Sequence, residues 1–342
     1  MRISGLNSPE LARTSRRWMS ALVLSGLCLS AMAQTAANPT RSINEWLARI
    51  HEASRGRSYT GTLVVTAGSS MSTSRIWHVC NGVDQMEKVE TLTGAPRTTI
   101  RRNSQVITFD TEARLAFKEQ RESLGLFPEL LKVPNGSLSS FYELSNTGAQ
   151  RVAGHKADVL EVKAKDELRF GYRIWAEQQT GLVVKLQTID DHDNVLEQVA
   201  FTELNLHAPV KMEQLQSQMK ATAGYKVVEP ALMKTSPETQ GWRLKQDIPG
   251  FVSMSCHVRA TPAGATAEAD GGPMHWVFSD GLASVSLFIE RYDPSRHTRE
   301  GGAELGSTHS LSLKTGDYWV TVLGEVPPVT LKRFAASLER IP

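Results

Sequence analysis

Cysteine is scarce in this sequence: three in 342 residues, with no CxxC pair and no Cys/His spacing that would hold a metal. One of them, Cys28, lies in an N-terminal segment expected to be removed. The small residue that a lipid-modified cysteine needs just before it is replaced by Leu27. The other two, Cys80 and Cys256, allow one disulfide at most, and two buried thiols in separate domains is the simpler expectation. A surplus of charge is missing too. The formal net charge is +2, and setting aside the four arginines and one glutamate of residues 1–33 turns it to −1. That balance leaves no electrostatic footprint for nucleic acid and no polybasic patch for a membrane surface. Catalytic signatures are also lacking: no GxSxG, HExxH, P-loop or strand-borne GxGxxG occurs. The nine histidines are scattered, with no HxH and no i, i+4 pair. The acidic stretch 190–194 lacks the glycine of an EF-type calcium loop and is expected to be a solvated hairpin turn. No catalytic residue, metal or cofactor is therefore expected.

What is present begins with an export signal. Arg13, Arg16 and Arg17 precede an uncharged stretch from Trp18 to Met32, and Ala31-Met32-Ala33 fits a small-x-small cleavage site. Residues 1–33 are expected to be a cleavable signal peptide, too short and wrongly flanked for a lasting membrane helix. In "TRSINEWLARIHEASRG" the residues Ile43, Trp46, Leu47 and Ile50 share one helical face. Ser42 and Glu45 form a capping box, and Gly56 suits the exit. Short alternating segments follow at 59–67, 74–80, 85–93, 97–103 and 105–110, separated by turn residues, and predict antiparallel strands. Residues 122–145 break that rhythm; "ESLGLFPELL" reads as a short helix or lid. A long-stranded meander resumes over 157–164, 168–177, 181–190 and 195–206, with Leu168, Phe170, Tyr172, Ile174 and Ala176 expected on one face. One helix against a many-stranded curved sheet suggests an unclosed barrel over 34–209. The aromatics Trp77, Tyr172 and Trp175 either line a cavity in it or fill its core, and both remain open.

Residues 210–240 are polar with scattered prolines and read as a linker. A smaller α+β domain is expected over 241–342. In it, Leu331, Phe334, Ala335, Leu338 and Ile341 predict one face of a final helix after Pro327-Pro328, and 291–310 reads as a polar loop. Within that domain "WVFSDGLASVSLFIE" places Asp280-Gly281 between two strand-like runs. Such a pair predicts a type I′ hairpin turn, with positive φ at both residues, rather than a catalytic carboxylate lacking any nearby partner.

Seven pieces, in order, carry a family resemblance: "SYTGTLVV", "SRIWHVCNG", "LTGAPRTTIRR", "RIWAEQQTGLVVKLQTIDDHDNVLEQVAFTEL", "WRLKQDIPGF", "VFSDGLASVSLFIE" and "VTVLGEVPPVTLKRFAASL". The chain resembles the MucB/RseB family, periplasmic negative regulators of the sigma-E (AlgU) envelope-stress system. The resemblance implies an α+β fold: an N-terminal unclosed antiparallel barrel like that of the lipoprotein carrier LolA, capped by helices, plus a small C-terminal α+β domain. It implies a periplasmic protein that binds the periplasmic region of an anti-sigma factor of RseA/MucA type and shields it from the site-one protease. Lipopolysaccharide or another acyl lipid is the implied releasing signal. A periplasmic lipid or lipoprotein carrier is the alternative, and homo-oligomerisation stays open. On this basis Phe278, Ser279, Asp280, Gly281 and Leu282 are candidate partner-contact residues, and Trp77, Tyr172 and Trp175 candidate lipid-cavity residues. In the family's H-x-x-D/N-G region this chain reads His78-Val79-Cys80-Asn81-Gly82, with a cysteine not assigned to any shared role.

Overall fold

The computed structural model describes residues 41–120, 138–259 and 272–341; the expected signal peptide and the 122–131 stretch lie outside them. Helix α1 (Ile43–Gly56) starts where its cap predicts. The Ser42 hydroxyl accepts from the Glu45 amide at 3.3 Å, and the Glu45 carboxylate accepts from the Ser42 amide at 2.7 Å. Two donors that a helix start would leave unmet are thereby satisfied.

Six strands follow as an antiparallel meander: β1 (Tyr59–Ala67), β2 (Ser70–Cys80), β3 (Gln85–Thr91), β4 (Arg97–Arg102), β5 (Gln105–Asp110) and β6 (Leu115–Gln120). After the single turn α2 (Leu138–Phe141), a second meander runs through β7 (Tyr142–Val152), β8 (His155–Ala164), β9 (Gly171–Glu177), β10 (Val183–Ile189) and β11 (Val195–Asn205). Strand β11 comes back to pair with β1, so the two meanders fuse. Helix α3 (Met212–Lys220) leads to β12 (Lys226–Val228), which adds in parallel beside β6. The resulting order is β12-β6-β5-β4-β3-β2-β1-β11-β10-β9-β8-β7, a twelve-stranded sheet whose terminal strands do not pair with each other. The sheet is therefore unclosed, as expected. Its long edge strand β7 carries a bulge between Asn146 and Gly148, which interrupts the row of free backbone groups there.

The helices cover this sheet through their apolar faces. Ile43, Trp46, Leu47 and Ile50 of α1 pack with Leu160, Val162, Tyr172, Ile174 and Leu186. Leu215 of α3, flanked by Met212 and Met219, packs with Val79, Met86, Ile100 and Ile107.

A second sheet is built from β13 (Leu232–Lys234), β15 (Val252–Arg259), β16 (Met274–Ser279), β17 (Ser284–Arg291), β18 (Gly301–Leu305), β19 (Thr308–Thr315) and β20 (Tyr318–Gly324). Its order is β13-β15-β16-β17-β20-β19-β18 and every pairing is antiparallel. Helix α4 (Pro328–Ser337) lays Leu331 and Phe334 onto one face of it. A ribbon of β14 (Trp242–Leu244) and β21 (Leu338–Arg340) completes the fold. Mixed α+β architecture with open sheets is what the sequence led us to expect.

Four local expectations change. The stretch 210–240, read as a linker, carries α3, β12, β13 and a 3₁₀ turn (Glu238–Gln240). Its strands are three residues long and mostly exposed, so they show no alternation to read. The polar loop at 291–310 contains β18, all of whose residues are exposed, and the start of β19. The last helix ends at Ser337: Leu338 turns to extended backbone and pairs with Leu244, so Leu338 and Ile341 are not on the helix. Strand β9 begins only at Gly171, and Leu168 leaves the large sheet altogether to join the core of the small one.

Leu47 is fully buried between α1 and the large sheet. Replacing it with Ala should cost about 2–5 kcal/mol in urea unfolding, because removed contacts and a residual cavity add. A loss below about 1 kcal/mol would mean that α1 is not docked as described.

Candidate functional site: the joint between the two sheets

The hairpin singled out in the sequence joins β16 to β17, and Ser279 and Ser284 are its last paired residues. The loop is therefore four residues long, closed by the Asp280 amide donating to the Ala283 carbonyl at 3.2 Å. Of the Asp-Gly pair only Gly281 has positive φ, at 100°, so the turn is not type I′. Instead the Asp280 Oδ1 accepts from the amides of Leu282 at 2.9 Å and Ala283 at 2.7 Å, an aspartate folding its own turn.

The other carboxylate oxygen does what the sequence could not show. Asp280 Oδ2 accepts from Arg169 Nε at 2.8 Å and from the Tyr142 hydroxyl at 2.8 Å. Arg169 comes from the loop between β8 and β9, and Tyr142 opens β7, so the pair crosses from the small sheet to the large one. Arg169 also donates to Asp166 in its own loop and, through Nη2, to the Pro249 carbonyl at 2.6 Å. Its guanidinium lies 4.4 Å from the Phe141 ring and 5.1 Å from the Phe251 ring. The side chains of Arg169 and Asp280 are both 0% exposed. Burial, then the neighbouring Tyr172 and Asp280, pushes the Tyr142 hydroxyl well above the ordinary tyrosine range, so it stays a donor.

The leucines beside this ion pair are exchanged. Leu282 lies in the cluster under α1 with Tyr142, Tyr172 and Ile174, and is its only member from the small sheet among the described residues. Leu168 lies in the small-sheet core with Phe278, Val285, Leu331 and Phe334, and among the described residues is the only member there from the large-sheet side. Thr330 of α4 donates to the Leu168 carbonyl at 2.6 Å, and Arg333 pairs with Glu167 at 2.6 Å.

A second contact lies at the β18–β19 turn. Ser307 donates to Glu197 at 2.7 Å. Gly306 passes so close to β1 that a Cβ there would stand 2.7 Å from that of Ala67. The Glu325 carboxyl is held above the ordinary carboxylate range, chiefly by burial and then by the charge of Glu197.

The candidate partner-contact residues are thus placed inside the joint. Phe278, Asp280, Gly281 and Leu282 are buried and Ser279 is half-buried, so of these five only Ser279 is partly open to solvent. The candidate cavity residues are not brought together. Trp77 is half-buried toward α3 with Lys88 over its ring at 4.8 Å. Tyr172 is buried under α1, its hydroxyl without a hydrogen-bond partner among the described residues. Trp175 sits in another cluster, bonded to Gln150 at 2.9 Å. Residues 172 and 175 differ by an odd number along β9, which puts them on opposite faces. Cys80 in β2 and Cys256 in β15 are both free thiols in different sheets, and burial, then Glu238, pushes Cys256 up to about 11.

Two open sheets joined through buried side chains define a mixed α+β protein. Among the described residues no group of three metal-capable side chains gathers, and no helix is long and apolar enough to cross a membrane. Residues 42–219 match the MucB/RseB N-terminal domain and residues 236–339 the MucB/RseB C-terminal domain; the chain belongs to the MucB/RseB family. It is 33% identical over 329 residues to the sigma factor AlgU regulatory protein MucB of Pseudomonas aeruginosa, covering 94% of this chain and 97% of that one. Against the sigma-E factor regulatory protein RseB of Escherichia coli K12 the identity is 22%, with 94% and 97% covered. A crystal structure of MucB in complex with MucA(peri) superposes with a TM-score of 0.65 at 30% identity, covering 88% of this chain and 100% of that one.

Two outcomes follow from this geometry. Arg169→Met leaves Asp280 as an uncompensated buried charge and should cost about 3 kcal/mol or more in urea unfolding; a loss under about 1 kcal/mol would mean that water reaches the pair. The raised Glu325 contributes stability that is complete below the ordinary carboxylate range and is lost as pH rises through its folded pKa. Melting curves taken between pH 4 and 7 should therefore fall less with pH for Glu325→Gln than for the native chain; parallel curves would remove this assignment.

Proposed function

We propose that this protein restrains a sigma factor indirectly, by holding the periplasmic region of its membrane-bound anti-sigma factor, of RseA/MucA type, and shielding it from the first proteolytic cut. It works by occupancy and breaks no bond. The observation that carries the reading is the likeness to MucB across both domains, together with the solved complex of that relative with MucA(peri). The periplasm is the compartment that this partner requires, and the sequence of residues 1–33 suits export to it. Lipopolysaccharide or another acyl lipid is the releasing signal that the family reading brings with it. The hairpin at 278–282 contributes by fixing how the two sheets stand to one another, since four of its five residues are buried.

The test uses the mature chain and the periplasmic segment of the anti-sigma factor from the same organism. Saturable binding at micromolar concentration or below, with slower cleavage of the segment by its protease in proportion to occupancy, is the expected result. Tight retention of lipid with no affinity for the segment would sink the reading and favour a carrier.

A further inference from the structure

We propose that the joint around Arg169 and Asp280 is a reversible latch, built so that the two domains can part without either one unfolding. Each half of the ion pair keeps a partner on its own side. Asp280 Oδ1 is held by two amides of its own turn, and Arg169 retains Asp166 in its own loop. Among the described residues few polar bonds cross the joint here: Arg169 and Tyr142 to Asp280 Oδ2, Arg169 to the Pro249 carbonyl, Thr330 to the Leu168 carbonyl, and Arg333 to Glu167. Breaking them returns each charge to water already partly satisfied, so opening leaves no bare buried ion.

The apolar part obeys the same logic. One leucine goes each way, Leu168 directly beside Arg169 and Leu282 two residues from Asp280. Neither can withdraw alone, because the ion pair between them fixes both loops at once. The joint is therefore either fully engaged or fully apart, which is the behaviour of an interlocking interface with two discrete states. Three residues, 229–231, link β12 of the large sheet to β13 of the small one, a short tether between elements that lie in different sheets. Among the described residues a further polar contact, Ser307 on Glu197, lies at the β18–β19 turn.

Hydrogen exchange on the full mature chain tests this, read by mass spectrometry for the native protein, Asp280→Asn and Leu282→Ala. Amides of 166–170 and 279–283 should exchange at one shared rate in the native chain. Both variants should raise both segments together, about tenfold or more, while 183–189 and 320–324 keep their protection, because sub-global opening spares the cores. The proposal is overturned if each variant affects only its own segment, if neither segment responds, or if protection collapses throughout both sheets. The last result would mean that the joint is simply part of one indivisible core. None of these readouts depends on the identity of the partner.

Discussion

A guanidinium and a carboxylate, both withdrawn from water, set how the two sheets of this protein meet. Removing such charges from solvent is costly, and their mutual attraction offsets that cost only when every lone pair and proton is met. Here each carboxylate oxygen and each guanidinium nitrogen has a partner: Asp280 accepts four hydrogen bonds and Arg169 reaches two carboxylates and a carbonyl. A pair so fully satisfied tolerates little displacement. The position of β16 and β17 relative to β7 and β9 follows from it, and with that the relation of α1 to α4.

That constraint gives the two sheets a defined relation that can be regulated. On the proposed reading, holding another polypeptide needs a surface of defined shape, and a surface drawn from two sheets has a shape only while the sheets are locked. Affinity spread over two bodies is sensitive to their relation in a way that affinity for one body is not. The buried joint thus stands to partner binding as a frame stands to what is mounted on it.

Much of this architecture was legible in the residues. The capping box at Ser42 and Glu45, the alternation of β1 and the local hairpins of β8 to β11 all encode their structure within a few residues of themselves. What escaped depends on contacts far apart in sequence. Three-residue edge strands such as β12 and β13 have no periodicity of their own and exist because a neighbour offers backbone partners. Leu168 continues the alternation of Tyr172 and Ile174 on paper, yet the loop before β9 carries it into the other sheet. At Asp280 the turn was readable and its use was not, since the second carboxylate oxygen reaches Arg169, 111 positions away. A local pattern cannot name a partner at that distance, and so residues that look like an exposed contact patch prove to be interior.

The placement of Leu282 has a bearing on how the molecule comes into being. The core beneath α1 is assembled from residues 43 to 186, with one side chain supplied from position 282. A chain that emerges N-terminus first presents the whole large sheet before that last leucine appears. Until then the α1 region carries an unfilled notch and Arg169 lacks the Asp280 carboxylate. The earlier half of the chain is therefore finished by the later one, and maturation of the large sheet ends not at its own final strand but when a hairpin made some fifty residues downstream of β12 arrives to fill it.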